Sequence, residues 1–374
     1  MESIPETIHS RVQLPLTSLT AIIVLLGGGE YLARILTNAK FANYQPPFFA
    51  MLPKGSEDWR FSYLVADPAF EPNSKLLWRQ KAQPPINSQG FPGLLLKFNK
   101  PKNEFRIFCY SDINTETFQA GWPKKLQELL SEDGAKSSIA YRVVNAGVPG
   151  YSSLQGLRRF QEEINVYRPD LIIVSFGWND AVPAVGLSDK DFKIPPQFLI
   201  AIQKVLLNYR QFLCLKYYLG KMIRFWPPPD NPRVALPDYI SNMGEFISTG
   251  QIHHIPVVLL TKAHREKRNV LAEGGGWRSN IPEYNSSLSN FANKPGVLIV
   301  DLQRVFENIS LQLFEDEINL SMEGHRFAAQ FIYETLKGFS LLPQSQQGDK
   351  NEKKGGQHLR TSSGKRIKKQ GQKL

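Results

Sequence analysis

The chain is poor in cysteine, because only Cys109 and Cys214 occur in its 374 residues. A disulfide framework needs several paired cysteines and a thiolate metal site needs closely spaced ones, so neither has support. Both cysteines lie in apolar stretches, and we expect them to be inert core thiols. Hydrophobic residues make up 42% and charged residues 21%, which excludes a largely disordered chain. No metal or cofactor is predicted.

Acidic residues are scarce at the C-terminus. Residues 350–374 hold seven lysines and two arginines, against Asp349 and Glu352 around them, and account for most of the net charge of +11. Gly, Gln, Lys and Ser dominate this stretch, so residues 344–374 are predicted to form a disordered basic tail. The tail either improves solubility or contacts an anionic polymer or lipid surface. We expect no specific nucleic-acid partner.

Charged residues are also missing from residues 12–29, whose centre is strongly apolar. This length is at the lower bound for a helix that spans about 30 Å of hydrocarbon. Three interpretations remain open: a membrane anchor within residues 1–40, a secretory signal cleaved near Gly27–Gly29, and a buried helix. The apolar pattern continues past Glu30, which favours the anchor. Orientation is weakly determined, because Arg11 precedes the run and Arg34 follows it.

The remaining chain divides by pattern. Residues 41–104 are rich in proline and aromatic residues and are predicted to be an extended lead-in that packs on the main domain. Residues 105–343 alternate apolar runs with helical patterns, which indicates βα units around a parallel sheet. Strands are predicted to begin near Phe105, Ala140, Asp170, Ile255 and Val297. Within this domain, residues 198–236 are predicted to form a long basic helix over 198–226 and a proline-rich insert.

Four polar motifs stand out. Three of them follow apolar runs, and the fourth precedes the last helical pattern of the domain. In open α/β sheets, ligands bind at the carboxyl ends of the strands. The motifs are Ser111-Asp112-Ile113-Asn114-Thr115, Asn145-Ala146-Gly147-Val148-Pro149-Gly150, Gly177-Trp178-Asn179-Asp180 and Asp316-Glu317-Ile318-Asn319-Leu320-Ser321-Met322-Glu323-Gly324-His325.

The order and spacing of these motifs resemble the signatures of the SGNH (GDSL) hydrolase family. The resemblance implies a flavodoxin-like, three-layer α/β/α sandwich with a five-stranded parallel sheet. The chain resembles membrane-anchored bacterial members of the family, which implies a domain outside the cytoplasm.

The resemblance also assigns the site. The position of the family's serine nucleophile is Ile113, and the position of its catalytic histidine is Asn319. An alkane cannot attack a carbonyl, and an amide takes no proton near neutral pH. Asp316 occupies the place of the carboxylate that orients the histidine.

Other site residues keep the family pattern. The oxyanion donors would be the backbone N–H groups of Ile113 and Gly147 and the side chain of Asn179. Asp112, Asn114 and Asp180 flank the site, and turn capping is the preferred role for Asp112 and Asp180.

Three functions remain open. The first is a pseudoenzyme that binds or scaffolds an acylated cell-envelope glycan, or a small ester or carboxylate. The second is an esterase or acyltransferase in which Asp112 or Asp316 activates water. The third is a structural relic. The first is favoured, because losing the nucleophile of a triad costs about 10⁶ in turnover.

Overall fold

The computed structural model describes residues 26–35, 60, 62–112, 121–182, 184, 187–209, 211–212, 214–215, 232–265, 280–307, 311–316 and 318–343. The predicted basic tail and most of the predicted anchor lie outside these residues. Among the described residues, no helix combines the length and apolar character needed to cross a bilayer.

The centre of the fold is a parallel sheet. The described strands are β1 Phe70–Asn73, β2 Leu77–Gln80, β3 Glu104–Ser111, β4 Ala140–Asn145, β5 Leu171–Ser175, β6 Val257–Leu260 and β7 Val297–Val300. The last five form one sheet in the order β4-β3-β5-β6-β7, and every neighbouring pair is parallel. All five residues of β5 are buried, as a strand covered on both faces requires.

Helices cover both faces of the sheet. They are α1 Trp122–Ser137, α2 Ser153–Tyr167, α3 Trp178–Ala181, α4 Gln197–Leu206, α5 Leu236–Ile252, α6 Ile281–Ser287, α7 Leu302–Glu307 and α8 Met322–Gly338. One apolar cluster joins one sheet face to α2, α5 and α6, and a second joins the other face to α1, α7 and α8. The predicted three-layer sandwich with a five-stranded parallel sheet is confirmed.

The lead-in contains structure that was not predicted. β1 and β2 form an antiparallel hairpin that includes the fully buried Trp78. The Trp78 indole N–H donates to Pro149 O at 3.4 Å, and the Tyr151 hydroxyl donates to Trp78 O at 2.7 Å. Tyr63 stacks on Trp78 with ring centroids 4.8 Å apart. The hairpin therefore packs against the loop that carries the second motif.

The prediction of one continuous helix over residues 198–226 is wrong. Its first part is α4, which ends at Leu206. The Asn208 and Tyr209 amides donate to carbonyls three residues back, and the Asn208 side chain donates to Lys204 O and Val205 O. These bonds satisfy the last helical carbonyls and stop the α-helical pattern. Residues 216–231 lie outside the described part of the chain.

Candidate active site

The topology creates a crevice at the carboxyl ends of β3 and β5. After β3 the chain forms β4 on one side of β3 and then crosses over to form β5 on the other side of β3. Ligands of open α/β sheets bind at such a reversal. Ser111 and Ser175 are register partners at the ends of these strands, so Asp112 and the Gly177–Asp180 turn leave the sheet side by side. We call this place the switch-point crevice.

The loop after β4 also reaches this crevice. Ala146 N–H donates to Cys109 O at 2.9 Å, and Val148 N–H donates to Ser111 O at 3.2 Å. These bonds extend the pairing with β3 beyond the strand and place Gly147 next to its end. The Gly147 N–H donates to the Asn145 side-chain oxygen at 3.0 Å. The predicted second oxyanion donor thus already has an internal acceptor.

Asn179 lies in the one-turn helix α3. This helix begins directly after Gly177, which no other residue could replace without strain. Gly177 has φ of +140°, outside the range that side chains with a Cβ adopt. Asn179 is half-buried, and within the described part of the chain its amide makes no hydrogen bond. The third predicted oxyanion donor is therefore available to a ligand.

Asp180 holds this turn in place. Its side chain accepts hydrogen bonds from Ser153 N–H at 2.9 Å, from the Ser153 hydroxyl at 2.5 Å and from Gly177 N–H at 3.0 Å. Burial raises the pKa of Asp180 to about 7, against the hydrogen bonds from Ser153, which lower it. The expected capping role of Asp180 agrees with these contacts.

Asp112 has a different role from the expected cap. Its Oδ1 accepts a hydrogen bond from the ammonium of Lys262, in an ion pair whose side chains are 2% and 11% exposed. Its Oδ2 is buried and has no partner among the described residues, and the same is true of the Ser111 hydroxyl. An unpaired buried acceptor costs about 1–3 kcal/mol, so this oxygen would gain from a donor on a ligand.

Lys262 was missed by the sequence reasoning. It follows β6 by two residues, and Asn285 of α6 fixes its backbone on both sides: Lys262 N–H donates to Asn285 Oδ1 at 2.8 Å, and Asn285 Nδ2 donates to Lys262 O at 3.0 Å. A Cβ placed on Gly177 would lie 3.5 Å from Lys262 Cγ, which puts the lysine stem against the third motif. Its place just beyond the carboxyl end of a buried strand was the available signal.

Asp316 and Asn319 lie in a tight turn before α8. The Asn319 side chain donates to Asp316 Oδ2 at 2.7 Å, and the Asn319 N–H donates to Asp316 Oδ1 at 2.7 Å. The turn is closed by Glu315 N–H, which donates to Asn319 O at 2.9 Å. The Asp316 carboxylate thus holds Asn319, the residue predicted to occupy the position of the family's histidine. Among the described residues, no hydrogen bond joins this turn to Asp112, Gly147 or Asn179. Ile113 and Asn114 lie outside the described residues.

His325 is on the side of α8 that faces the sheet. Its Nδ1 is buried and has no hydrogen-bond partner within the described residues. Burial lowers the pKa of His325 to about 4, so the ring is neutral at physiological pH.

A cavity of about 340 Å³ lies beside the crevice. It shares Val148 and Tyr151 with the loop of the second motif and is otherwise walled by the hairpin, the turn around Asn87 and α2. Asp112, Gly147 and Asn179 do not line it. Across the described residues, no group of three His, Cys, Asp or Glu side chains could hold a metal ion.

Several solved structures are similar to this chain. A GDSL-like lipase from Bacteroides thetaiotaomicron has 14% identity and a TM-score of 0.42, over 65% of this chain and 93% of its own. The lipase/acylhydrolase from Enterococcus faecalis has 15% identity and a TM-score of 0.41, over 63% and 96%. An acetyl xylan esterase from Geobacillus stearothermophilus has 15% identity and a TM-score of 0.41, over 62% and 93%.

No curated protein matches the chain. A family model does: the one described as GDSL-like lipase/acylhydrolase matches residues 110–327, which is more than half of the chain and spans all four motifs. The chain therefore belongs to the GDSL-like lipase/acylhydrolase family.

Proposed function

We propose that this protein binds an acylated ligand in the switch-point crevice and does not hydrolyse it. The observation that carries the proposal is the turn before α8, where the Asp316 carboxylate holds an amide, Asn319, at 2.7 Å. In the family relay this carboxylate orients a proton-accepting imidazole. An amide cannot accept the proton, and Ile113 has none to give, so two steps of nucleophilic catalysis lack their group.

The groups that remain suit a ligand with hydroxyl and carbonyl groups. Asp112 Oδ2 can accept a hydrogen bond, and the Asn179 amide can donate one to a carbonyl oxygen. An acylated glycan carries both kinds of group, whereas a simple alkyl ester lacks the hydroxyls. We therefore infer that an acylated cell-envelope glycan is the ligand class, and that residues 1–40 anchor the protein to the membrane with the domain outside the cytoplasm.

The ion pair with Lys262 argues against water activation by Asp112. The Lys262 ammonium occupies Asp112 Oδ1, and no other side chain that could relay a proton is hydrogen-bonded to Asp112 among the described residues.

The test compares turnover with binding in one preparation. We expect no hydrolysis of p-nitrophenyl acetate or butyrate above the buffer rate. A pH-dependent rate that disappears in Asp112→Asn or Asp316→Asn would instead establish an esterase.

Binding is measured by calorimetry with acetylated and deacetylated chitooligosaccharides as probes. We expect the acetylated probe to bind more tightly, and Asn179→Ala to weaken it about tenfold, for the loss of one hydrogen bond to the acyl oxygen. Asn290→Ala is the matched control, because Asn290 is an exposed amide in the 3₁₀ helix Leu288–Phe291, before the edge strand β7 and away from the crevice between β3 and β5. Absence of binding by both probes would reject this ligand class.

A further inference from the structure

The helix α4 exposes apolar side chains to solvent. Its apolar residues Phe198, Ile202 and Val205 are 63%, 51% and 59% exposed, whereas Ile200 on the opposite side is 4% exposed. At 100° per residue the three exposed residues fall within about 60° of arc. A surface helix normally turns its apolar side to the core, so this exposed face needs a partner. We call it the α4 face.

A second exposed apolar segment lies next to the end of α4. Residues 26–35 are helical, and Leu26, Leu32 and Ile35 are exposed. Gln211, five residues beyond α4, binds this helix twice: its N–H donates to Glu30 Oε2 at 3.0 Å, and its side chain donates to Leu26 O at 2.5 Å. Residues 26–29 of this segment are the end of the uncharged run 12–29, so the predicted anchor enters the domain beside α4.

The sequence of α4 and of the residues that follow it carries charge of one sign, and of its basic residues only Lys204 lies in the described part of the chain. Between residues 198 and 226 there is no acidic residue, and the basic residues are Lys204, Arg210, Lys216, Lys221 and Arg224. Apolar residues flanked by lysine and arginine are the pattern of helices that lie in an anionic membrane interface. A second copy of the chain is a poorer partner, because the two faces would bring like charges together.

We propose that the α4 face lies in the interface of an anionic lipid bilayer. Phe198, Ile202 and Val205 enter the boundary between headgroups and acyl chains. The domain is thereby held against the membrane by two elements, the anchor and α4. The inference uses the predicted anchor and is independent of which ligand the crevice binds.

The test measures membrane depth in the full chain. In a Cys214→Ser background, Ile202→Cys is labelled with the fluorophore NBD, and the protein is reconstituted in vesicles of equal parts phosphatidylcholine and phosphatidylglycerol. Gln330→Cys is the matched control, because Gln330 is an exposed residue of α8 on the other side of the sheet. Cys109 is buried and should not react.

We expect a blue-shifted emission at position 202, strong quenching by lipids that carry a doxyl group on the acyl chain, and neither effect at position 330. Val205→Asp should reduce the quenching at position 202 several-fold while the circular dichroism spectrum stays unchanged. Emission at position 202 that remains water-like in vesicle-bound protein would overturn the proposal. So would a blue shift at position 202 that needs no lipid and grows with protein concentration, since a second copy would then cover the face.

Discussion

Lys262 and Asp112 form a nearly buried ion pair whose two members are 150 residues apart in the chain. Each charge has lost most of its hydration, so each depends on the other. Removing only the lysine leaves an uncompensated carboxylate in the crevice.

We predict that Lys262→Met lowers the free energy of unfolding by about 3–5 kcal/mol, as expected for breaking a buried pair. Lys262→Met combined with Asp112→Asn should recover much of that loss, because no buried charge remains. Urea unfolding of both variants provides the measurement. Lys337→Met is the control: Lys337 pairs with Asp133 and is half exposed, so its loss should cost about 1 kcal/mol or less. Equal losses for the two lysine variants would contradict the coupling.

The turn of Asp316 and Asn319 permits a repair experiment. Asp316 Oδ2 already accepts from the side chain at position 319, and a histidine there could donate to the same oxygen. The double variant Ile113→Ser, Asn319→His should hydrolyse p-nitrophenyl acetate on the order of 10² faster than the wild type. Either single change should do little, because members of a relay are strongly non-additive. A folded double variant with no gain would show that the backbone has moved away from the family geometry.

At the scale of elements, Arg159 joins three parts of the fold. Its guanidinium donates to Glu163 Oε1 at 2.7 Å on its own helix, to Ala146 O at 3.2 Å in the loop of the second motif, and to Gly90 O at 3.0 Å in the lead-in. It also lies over the Phe91 ring at 4.8 Å. The loop beside the crevice is therefore fixed by α2 and by the lead-in together.

We predict that Arg159→Met destabilises the protein by about 3–5 kcal/mol, because Glu163 would lose its buried partner while the methionine keeps part of the packing. Burial already raises the pKa of Glu163, so the carboxyl would protonate more readily in the variant. Arg158→Met is the adjacent control: Arg158 makes an exposed bond to Lys75 O and should change stability by about 0.5 kcal/mol or less. Thermal unfolding followed by circular dichroism separates the two.

The elements that could be predicted are those with a strong local pattern. The apolar runs of β3, β5 and β7 marked strands, and the motifs after them marked the crevice. α5 was missed because glycine, proline, serine and threonine weaken its helical propensity. It forms because one face is buried, by Tyr239, Met243, Phe246 and Ile247. Their helical spacing was visible in the sequence. The contact of Lys262 with Asp112 was not readable, because no local pattern links residues so far apart.

At the scale of the whole molecule, two buried groups give the stability opposite dependences on pH. Asp180 keeps its proton up to about pH 7 when folded and loses it near 3.8 when unfolded, so stability falls as pH rises between these values. His325 takes a proton near 6.5 when unfolded and near 4 when folded, so stability falls as pH drops between these values.

The two effects oppose each other between pH 4 and pH 6.5, each by at most about 1.4 kcal/mol per pH unit. Relative to the wild type, the stability of Asp180→Asn should rise more steeply with pH in this window, and that of His325→Gln should rise less steeply or fall. Urea unfolding across the window measures both slopes. Parallel curves for the wild type and the two variants would rule out both pKa shifts.

The hairpin of the lead-in belongs to the same packed unit as the sheet, because it contacts the loop of the second motif. The family match covers residues 110–327, yet β3 begins at Glu104 and α8 continues to Gly338. A gene fragment cut at the family boundaries would remove Trp78 from beneath Pro149 and Tyr151 and leave the loop beside the crevice without one of its walls. The lead-in therefore cannot be removed without also removing part of the wall of the cavity beside the crevice.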